Sequence, residues 1–436
     1  MISIVIAMLV ASLDSTITNT TIPHIVSDLG GFSLYAWSFV SYMIASTVMT
    51  PIAGRLSDIF GRKRVFATGI LVFMLGSLLC GTSQTMLQLV LYRGVQGIGA
   101  GILIPFPVII AGDLFSVAKR AVIQAFFSGM WGLSAVLAPL LGSFFVEVAS
   151  WRWIFYINIP LCILSILLLL PYREVYVPRK GPIDYGGGAL FAGGVISLLL
   201  LTVVEGNYFI YALFSALFFA AFYLVERSHK SPLIPFSIFR NSRLSWMIVN
   251  SFLATAALFG SANYIPFFLQ EQGYSIFVSG LALLGEAIGW LLVAVPAGRW
   301  VLRFGYRPLI IAGNSLLVLF GLLCLTLSEK SGFWDVFGIM FLEGMAFGLI
   351  VTVTTIAAQQ LVDAQSKGIS TSLQFFARNI GTAVGTTIMG AFLTKATVFM
   401  EGIHQLFLYG FVVSILAWGS SLLIRSSRKE SIDVEG

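Results

Sequence analysis

Charge is what this sequence has least of. Only 10% of its 436 residues are Asp, Glu, Lys or Arg, whereas a soluble domain carries about 25%. With 58% hydrophobic residues, that shortage excludes a sizeable soluble domain. A bilayer core about 30 Å thick takes roughly 20 apolar residues per helix, so the chain has length for about a dozen or more spans and little else.

Cysteine and histidine are scarce too. Cys80, Cys162 and Cys324 lie far apart inside apolar runs, which argues against a disulfide framework. His24, His229 and His404 are isolated, and no Cys/His spacing or carboxylate cluster resembles a metal site, so neither metal nor cofactor is expected. No His-Glu-x-x-His, nucleophile elbow or phosphate loop occurs, and the chain does not read as an enzyme. Met1 to Val10 contain no basic residue and no small-residue cleavage site follows, so this apolar stretch reads as a retained first span and not a signal peptide. A short cytoplasmic tail ahead of it is left open.

What is there is apolar and punctuated. Runs between polar breaks predict fourteen helices, starting near residues 1, 34, 65, 86, 121, 153, 183, 207, 244, 276, 307, 333, 369 and 403. Pro105, Pro107, Pro139 and Pro266 do not interrupt the count, because neighbouring helices and polar side chains satisfy the freed backbone groups. Glu205, Gly206 and Asn207 form a very short connection. Short cytoplasmic loops collect Lys and Arg; an inside N-terminus puts 20 of the 25 basic residues on the cytoplasmic side. Arg152, Lys330 and Lys395 fall outside, and Arg93 and Arg378 within spans. The net charge of +6 is mostly this loop asymmetry, so no nucleic-acid partner is expected. Both termini read as cytoplasmic.

Two loops repeat one pattern. Gly54 to Arg64 read GRLSDIFGRKR and Gly298 to Arg307 read GRWVLRFGYR, as a duplicated helical bundle would leave behind. Gly54 permits close helix approach, Gly61 a tight turn, and the basic cluster anchors the turn at the cytoplasmic face. An ordinary positive-inside loop accounts for Arg62, Lys63 and Arg64, but not for the glycines or Asp58.

GRLSDIFGRKR resembles the loop signature of the major facilitator superfamily. LYRGVQGIGAG, with Arg93, Gln96, Gly97, Gly99 and Gly101, resembles the arginine-bearing motif of its proton-coupled members. LDSTITNTTIP, from Leu13 to Pro23, resembles the first-helix motif of the fourteen-span drug:proton antiporters of the EmrB/QacA type, and WRWIFYINIP, from Trp151 to Pro160, is similar to the stretch opening their sixth span. IDYGGGALFAGG and VERSHKSPLIPFSIFRN resemble the flanks of their two inserted spans. The resemblance implies an all-α major facilitator fold: a six-helix bundle over 1–172, two inserted helices over 173–243, a second bundle over 244–425 and a cytoplasmic tail over 426–436. Two departures stand out. The antiporters' Gly-Pro-x-x-Gly-Gly signature is here Ala138, Pro139, Leu140, Leu141, Gly142 and Ser143, whose small residues still allow close packing. Leu302 stands where the second loop would match Asp58, so the first loop is expected to carry most of the gating electrostatics.

Intramembrane ionisable residues are costly and so are functional candidates. Asp14 lies roughly 20 Å into the first span at 1.5 Å per residue, near the midplane. Burial disfavours its carboxylate and a nearby cation favours it; these opposed terms suit a group that binds and releases a proton. The resemblance implies a proton or cation-substrate site, and the alternative is a structural carboxylate capped by Ser15, Thr16 or Thr18. Arg93 reads as the control on that proton, with Gln96 shaping a polar network, or as a structural arginine on backbone carbonyls. Glu286 and Glu343 belong to no recognised motif; together they suit a cationic ligand, proton coupling or neither. Arg378 reads as coupling or packing. Tyr42 and Trp131 are pocket candidates among the 37 phenylalanines. The expected function is a proton-coupled exporter of amphipathic, cationic compounds, working as a monomer in the plasma membrane, with small-molecule substrate, protons and lipid as partners. A dedicated exporter of one metabolite, antibiotic or siderophore is the alternative; a non-transporting sensor would need extra-membrane domains.

Overall fold

The computed structural model describes residues 2–31, 34–178, 181–204, 206–229, 231–328, 330–395 and 399–425. Glu205 of the short connection and the tail at 426–436 lie outside the described residues. The secondary structure of the described residues is helical, as expected where lipid offers the backbone no hydrogen-bond partner. In chain order the helices are α1 (Ile2–Leu29), α2 (Tyr35–Phe60), α3 (Arg62–Thr82), α4 (Met86–Leu103), α5 (Phe106–Leu114), α6 (Val117–Val148), α7 (Trp153–Tyr156), α8 (Asn158–Leu169), α9 (Tyr185–Val203), α10 (Tyr208–Ser228), α11 (Ser242–Glu271), α12 (Ile276–Leu281), α13 (Leu284–Phe304), α14 (Tyr306–Cys324), α15 (Phe333–Gln360), α16 (Lys367–Lys395) and α17 (Phe399–Leu422). Among the described residues, eight stretches are long and apolar enough to cross a membrane by length and composition, and two of them, Met86–Leu114 and Val278–Phe304, run through a helix break. Pro105 makes the first break, and its carbonyl takes over as acceptor for the amides of Val108 and Ile109.

The chain forms two compact units. One comprises Met1–Leu114, Gly129–Pro235 and Asp363–Phe376, the other Phe115–Ser128, Phe236–Val362 and Ala377–Gly436. The first is organised around α4. A Cβ at Gly97 would fall 2.5 Å from the Tyr42 carbonyl oxygen of α2, and one at Gly99 would fall 2.4 Å from the Phe73 nitrogen of α3. The bare backbone therefore lets α4 lie against both helices at van der Waals distance, which fixes the positions of Arg93 and Gln96 one turn away. On α3, Leu71, Leu75 and Leu78 are about half exposed along one stripe, while Phe66, Ile70, Phe73 and Cys80 on the other side are buried. Such an exposed leucine stripe suits lipid, not water.

The second unit has its own core, drawn from α11, α14, α15 and α17 around Leu317, Phe320, Met340, Phe347 and Phe407. Here α13 and α15 touch backbone to backbone: a Cβ at Gly344 would fall 2.0 Å from the Glu286 carbonyl oxygen. The two repeated loops occupy equivalent junctions. Gly61 joins α2 to α3 with φ 95°, and Gly305 joins α13 to α14 with φ 78°, conformations that side-chain-bearing residues rarely adopt. Cys80, Cys162 and Cys324 are all free and buried.

Candidate functional site

In the first unit five polar side chains from four helices close around Asp14. The Arg93 guanidinium donates through Nη1 to Asp14 Oδ2 at 2.6 Å, with neither side chain exposed. The other oxygen, Oδ1, accepts from Gln96 Nε2 at 2.7 Å and from Asn158 Nδ2 at 2.8 Å. Ser77 Oγ of α3 accepts from both amides, at 2.7 Å and 3.2 Å. Arg93 also donates to Gln96 Oε1 at 2.6 Å and reaches the Ser38 carbonyl oxygen at 3.5 Å. Its guanidinium carbon lies 4.2 Å from the centre of the Tyr42 ring, a cation–π distance. Each local choice serves this arrangement: Gln96 follows Arg93 by three residues, so both lie on one face of α4, and Thr18 binds the Asp14 carbonyl within α1 instead of capping the carboxylate. Buried charges on this scale persist only when paired and fully hydrogen-bonded. Asp14 meets that condition through one charged and two neutral donors.

A second cluster forms at the α2–α3 junction, also within the first unit. Asp58 accepts from Arg62 Nη1 at 2.5 Å and from the backbone amides of Gly368 and Ile369 at 3.1 Å and 3.0 Å. Those amides belong to the first turn of α16, where they have no intrahelical acceptor, so a carboxylate is favoured there by both hydrogen bonding and the helix dipole. Arg62 Nε reaches Asp113 at 3.0 Å, and its backbone amide donates to Glu174. Lys367 approaches Asp113 at 3.7 Å. Tyr176 donates its hydroxyl to the Asp58 carbonyl at 2.9 Å and lays its ring 4.1 Å from the Arg62 guanidinium. Burial, and then the Asp58 charge, push that phenol up to about 12, so it stays a donor near neutrality. Gly54 is required here: a Cβ would fall 2.4 Å from Ser372 Oγ and 2.8 Å from the Gly368 carbonyl oxygen.

In the second unit Glu286 on α13 and Glu343 on α15 lie within electrostatic reach of each other. Glu343 is 0% exposed, with neither oxygen hydrogen-bonded. Arg378 is buried on α16 and approaches Thr355 Oγ1 of α15 at 3.4 Å.

Comparison with known proteins identifies the family. The model of the Major Facilitator Superfamily matches residues 4–386, and again 277–431. The chain belongs to the major facilitator superfamily. This facilitator is 34% identical over 404 residues to the multidrug transporter protein MdtP of Bacillus subtilis (strain 168), covering 89% of this chain and 74% of that one. It is 28% identical over 425 residues to the multidrug efflux pump SdrM of Staphylococcus aureus (strain N315), covering 95% and 94%. It is 30% identical over 416 residues to the acurin A biosynthesis cluster MFS-type transporter of Aspergillus aculeatus (strain ATCC 16872 / CBS 172.66 / WB 5094), covering 91% and 75%. Among solved structures it resembles the human organic anion transporter MFSD10, with TM-score 0.72, 16% identity and coverage of 97% and 98%. The proton:xylose symporter XylE aligns with TM-score 0.65, 15% identity and coverage of 96% and 94%. The facilitator is therefore a multi-pass membrane transporter and not an enzyme.

The structure brings Asp14, Arg93, Gln96 and Tyr42 of the sequence candidates together. It gathers Gly54, Asp58, Gly61 and Arg62 at the α2–α3 junction, while Arg64 is exposed beside it. Trp131 on α6 is 38% exposed. Gly142 is buried on α6; the side chain of Pro139 lies outside the described residues. Sequence reasoning missed Asn158, Ser77, Asp113, Glu174 and Tyr176. Asn158 had a signal, since it lies inside WRWIFYINIP; the others had none.

Proposed function

We propose that this facilitator is a proton-coupled exporter of amphipathic, cationic drug-like compounds, an antiporter of the fourteen-span EmrB/QacA type. The observation that carries the reading is the buried Asp14–Arg93 pair and its amide partners. While Asp14 is ionised, Arg93 is held to α1. A proton arriving on Oδ2 removes that attraction and leaves the guanidinium with Gln96 Oε1, the Ser38 carbonyl and the Tyr42 ring, so protonation on α1 is transmitted to α2 and α4. Alternating access then links proton entry to substrate release. Drug-like substrates are suggested by the relatives named multidrug transporters, and a cationic character by the acids Glu286 and Glu343; Arg378 serves packing or coupling. Fourteen spans follow if α4 with α5, α7 with α8, and α12 with α13 are each one interrupted span. The domain boundaries at 172, 243 and 425, the inside termini, the lipid-embedded plasma-membrane location and a monomeric working unit belong to the same reading, as does the Asp58 cluster as a gate.

Inverted vesicles containing the protein provide the test. Ethidium uptake driven by an imposed pH gradient should vanish when the gradient is collapsed and in Asp14→Asn; uptake indifferent to both sinks the coupling. A second reading, a dedicated exporter of one secondary metabolite, draws on the 30% identical biosynthesis-cluster transporter. A chemically diverse substrate panel separates the two by the breadth of compounds moved.

A further inference from the structure

One buried carboxyl group takes no part in the Asp14 network. Glu343 lies within the first half of α15, 0% exposed, and neither carboxyl oxygen has a hydrogen-bond partner. Its neighbours three residues before and four after, Met340 and Phe347, are core residues. On α14, Cys324 is close enough to feel its charge, as is Glu286 on α13. Trp290 of α13 packs edge-on against Phe347 at 4.4 Å, and its own indole N–H is buried without a partner.

Among the described residues, no basic side chain of α11, α13 or α14 lies at this depth, and Arg378 of α16 meets α15 at Thr355, twelve residues beyond Glu343. The basic residues of α13 and α14, Arg299, Arg303 and Arg307, stand at the ends of those helices farthest from Glu286 and Cys324. On α11, Arg243 and Glu271 lie at opposite termini. An unpaired carboxylate in apolar surroundings is strongly disfavoured, so Glu343 carries either a proton or an incoming cation. Between the end of α14 and the start of α15 opens a cavity of about 490 Å³, lined by Leu323, Leu327, Lys330, Trp334, Asp335 and Ile339 among others. Glu343 itself does not line this cavity; Ile339, the lining residue nearest to it along α15, precedes it by four residues, about 6 Å along the helix.

We propose that Glu343 is a second proton-binding site of the transporter, exchanging its proton by way of this cavity. The proposal rests on the transporter reading but not on Asp14 as its coupling residue. Loading leaves a neutral acid in an apolar core; unloading leaves a lone carboxylate that favours entry of a cation beside Trp290 and Phe347.

An apolar carbodiimide tests this, because it adds across the O–H of a neutral carboxylic acid and leaves its whole mass on the residue. Membranes containing the full chain are treated with dicyclohexylcarbodiimide between about pH 6 and about pH 9, where displaced carboxyls titrate. Peptides carrying Glu343, Glu286 and Asp14 are then quantified by mass spectrometry. The expected result is a Glu343 adduct whose yield falls at least several-fold from the acid to the alkaline end, in wild type and Asp14→Asn alike, and which Glu343→Gln abolishes. A Glu343 adduct insensitive to pH marks a permanently neutral structural acid and overturns the proposal, as does no Glu343 adduct at any pH. If Glu343 titrates while Asp14→Asn retains gradient-driven transport, the second site stands and the role given to Asp14 fails.

Discussion

Asp14→Asn, Arg93→Met and the double variant together separate the structural from the transport role of the buried pair. With Asp14 neutralised, Arg93 remains fully buried and loses its counter-charge, keeping Gln96 Oε1 at 2.6 Å, the Ser38 carbonyl at 3.5 Å and the Tyr42 ring at 4.2 Å. Breaking a buried pair from one side costs about 3–5 kcal/mol. The converse lesion is smaller. Without Arg93, Asp14 retains the amides of Gln96 and Asn158 at 2.7 Å and 2.8 Å, and hydrogen bonds to a charged group contribute about 1.5–3 kcal/mol each, so a loss of about 2–3 kcal/mol is expected. Removing both charges with side chains of similar volume is close to neutral. The double variant should therefore lie within about 1–2 kcal/mol of wild type, with a coupling free energy of about 3 kcal/mol or more. Thermal unfolding of purified protein, followed by tryptophan fluorescence at one pH, reads the ranking: Asp14→Asn lowest, Arg93→Met next, the double variant near wild type. Transport should stay lost in the double variant. Additive destabilisation, with the double variant as unstable as the two singles summed, would refute the reasoning.

Other perturbations follow from the same geometry. Asn158→Ala removes one amide from Asp14 Oδ1 but keeps the ion pair, so it should lower stability by about 1–2 kcal/mol and slow gradient-driven efflux several-fold without abolishing it; unchanged unfolding would show the 2.8 Å contact to be inconsequential. Gly54→Val drives a side chain into Ser372 and the Gly368 carbonyl and should separate α2 from the start of α16, exposing Lys367 to faster tryptic cleavage. An unaltered digestion time course contradicts that. Asp28, at the end of α1, is held below the usual carboxylate range by the Trp151 indole N–H and then by Arg152. A carboxyl depressed in the folded state stabilises fully above its unfolded value near 3.9 and loses that contribution as pH falls through the folded one. Acid titration below about pH 4 should therefore perturb Trp151 fluorescence in wild type but not in Asp28→Asn.

The apolar runs and the repeated loop were readable because each has a local cause: lipid demands long apolar helices, and a left-handed turn demands glycine, as at Gly61 and Gly305. The pairing of Asp14 with Arg93 was readable for a different reason: few charges occur inside spans, and a buried carboxylate and a buried guanidinium in the same bundle are each stabilised by the other. Asn158 and Ser77 escaped because neutral polar residues are common throughout the chain, and nothing local ties positions 144 and 81 residues apart in sequence. Asp113 was equally hidden. It closes an interrupted span after Pro105, and its bond to Arg62 depends on how that break redirects α5. The unpartnered oxygens of Glu343 could not be foreseen either, because absence of a partner is a property of packing.

The burial of all three thiols has a practical consequence for spectroscopy. Maleimide reagents need an exposed thiolate, and Cys80, Cys162 and Cys324 are 0%, 1% and 1% exposed, so the wild-type chain is already a silent background for labelling. Leu302 is 42% exposed in the last turn of α13, within the repeat that kept its glycine turn but lacks the acid of its counterpart. A single Leu302→Cys substitution there would carry a fluorophore or spin label without first stripping the native cysteines from the core.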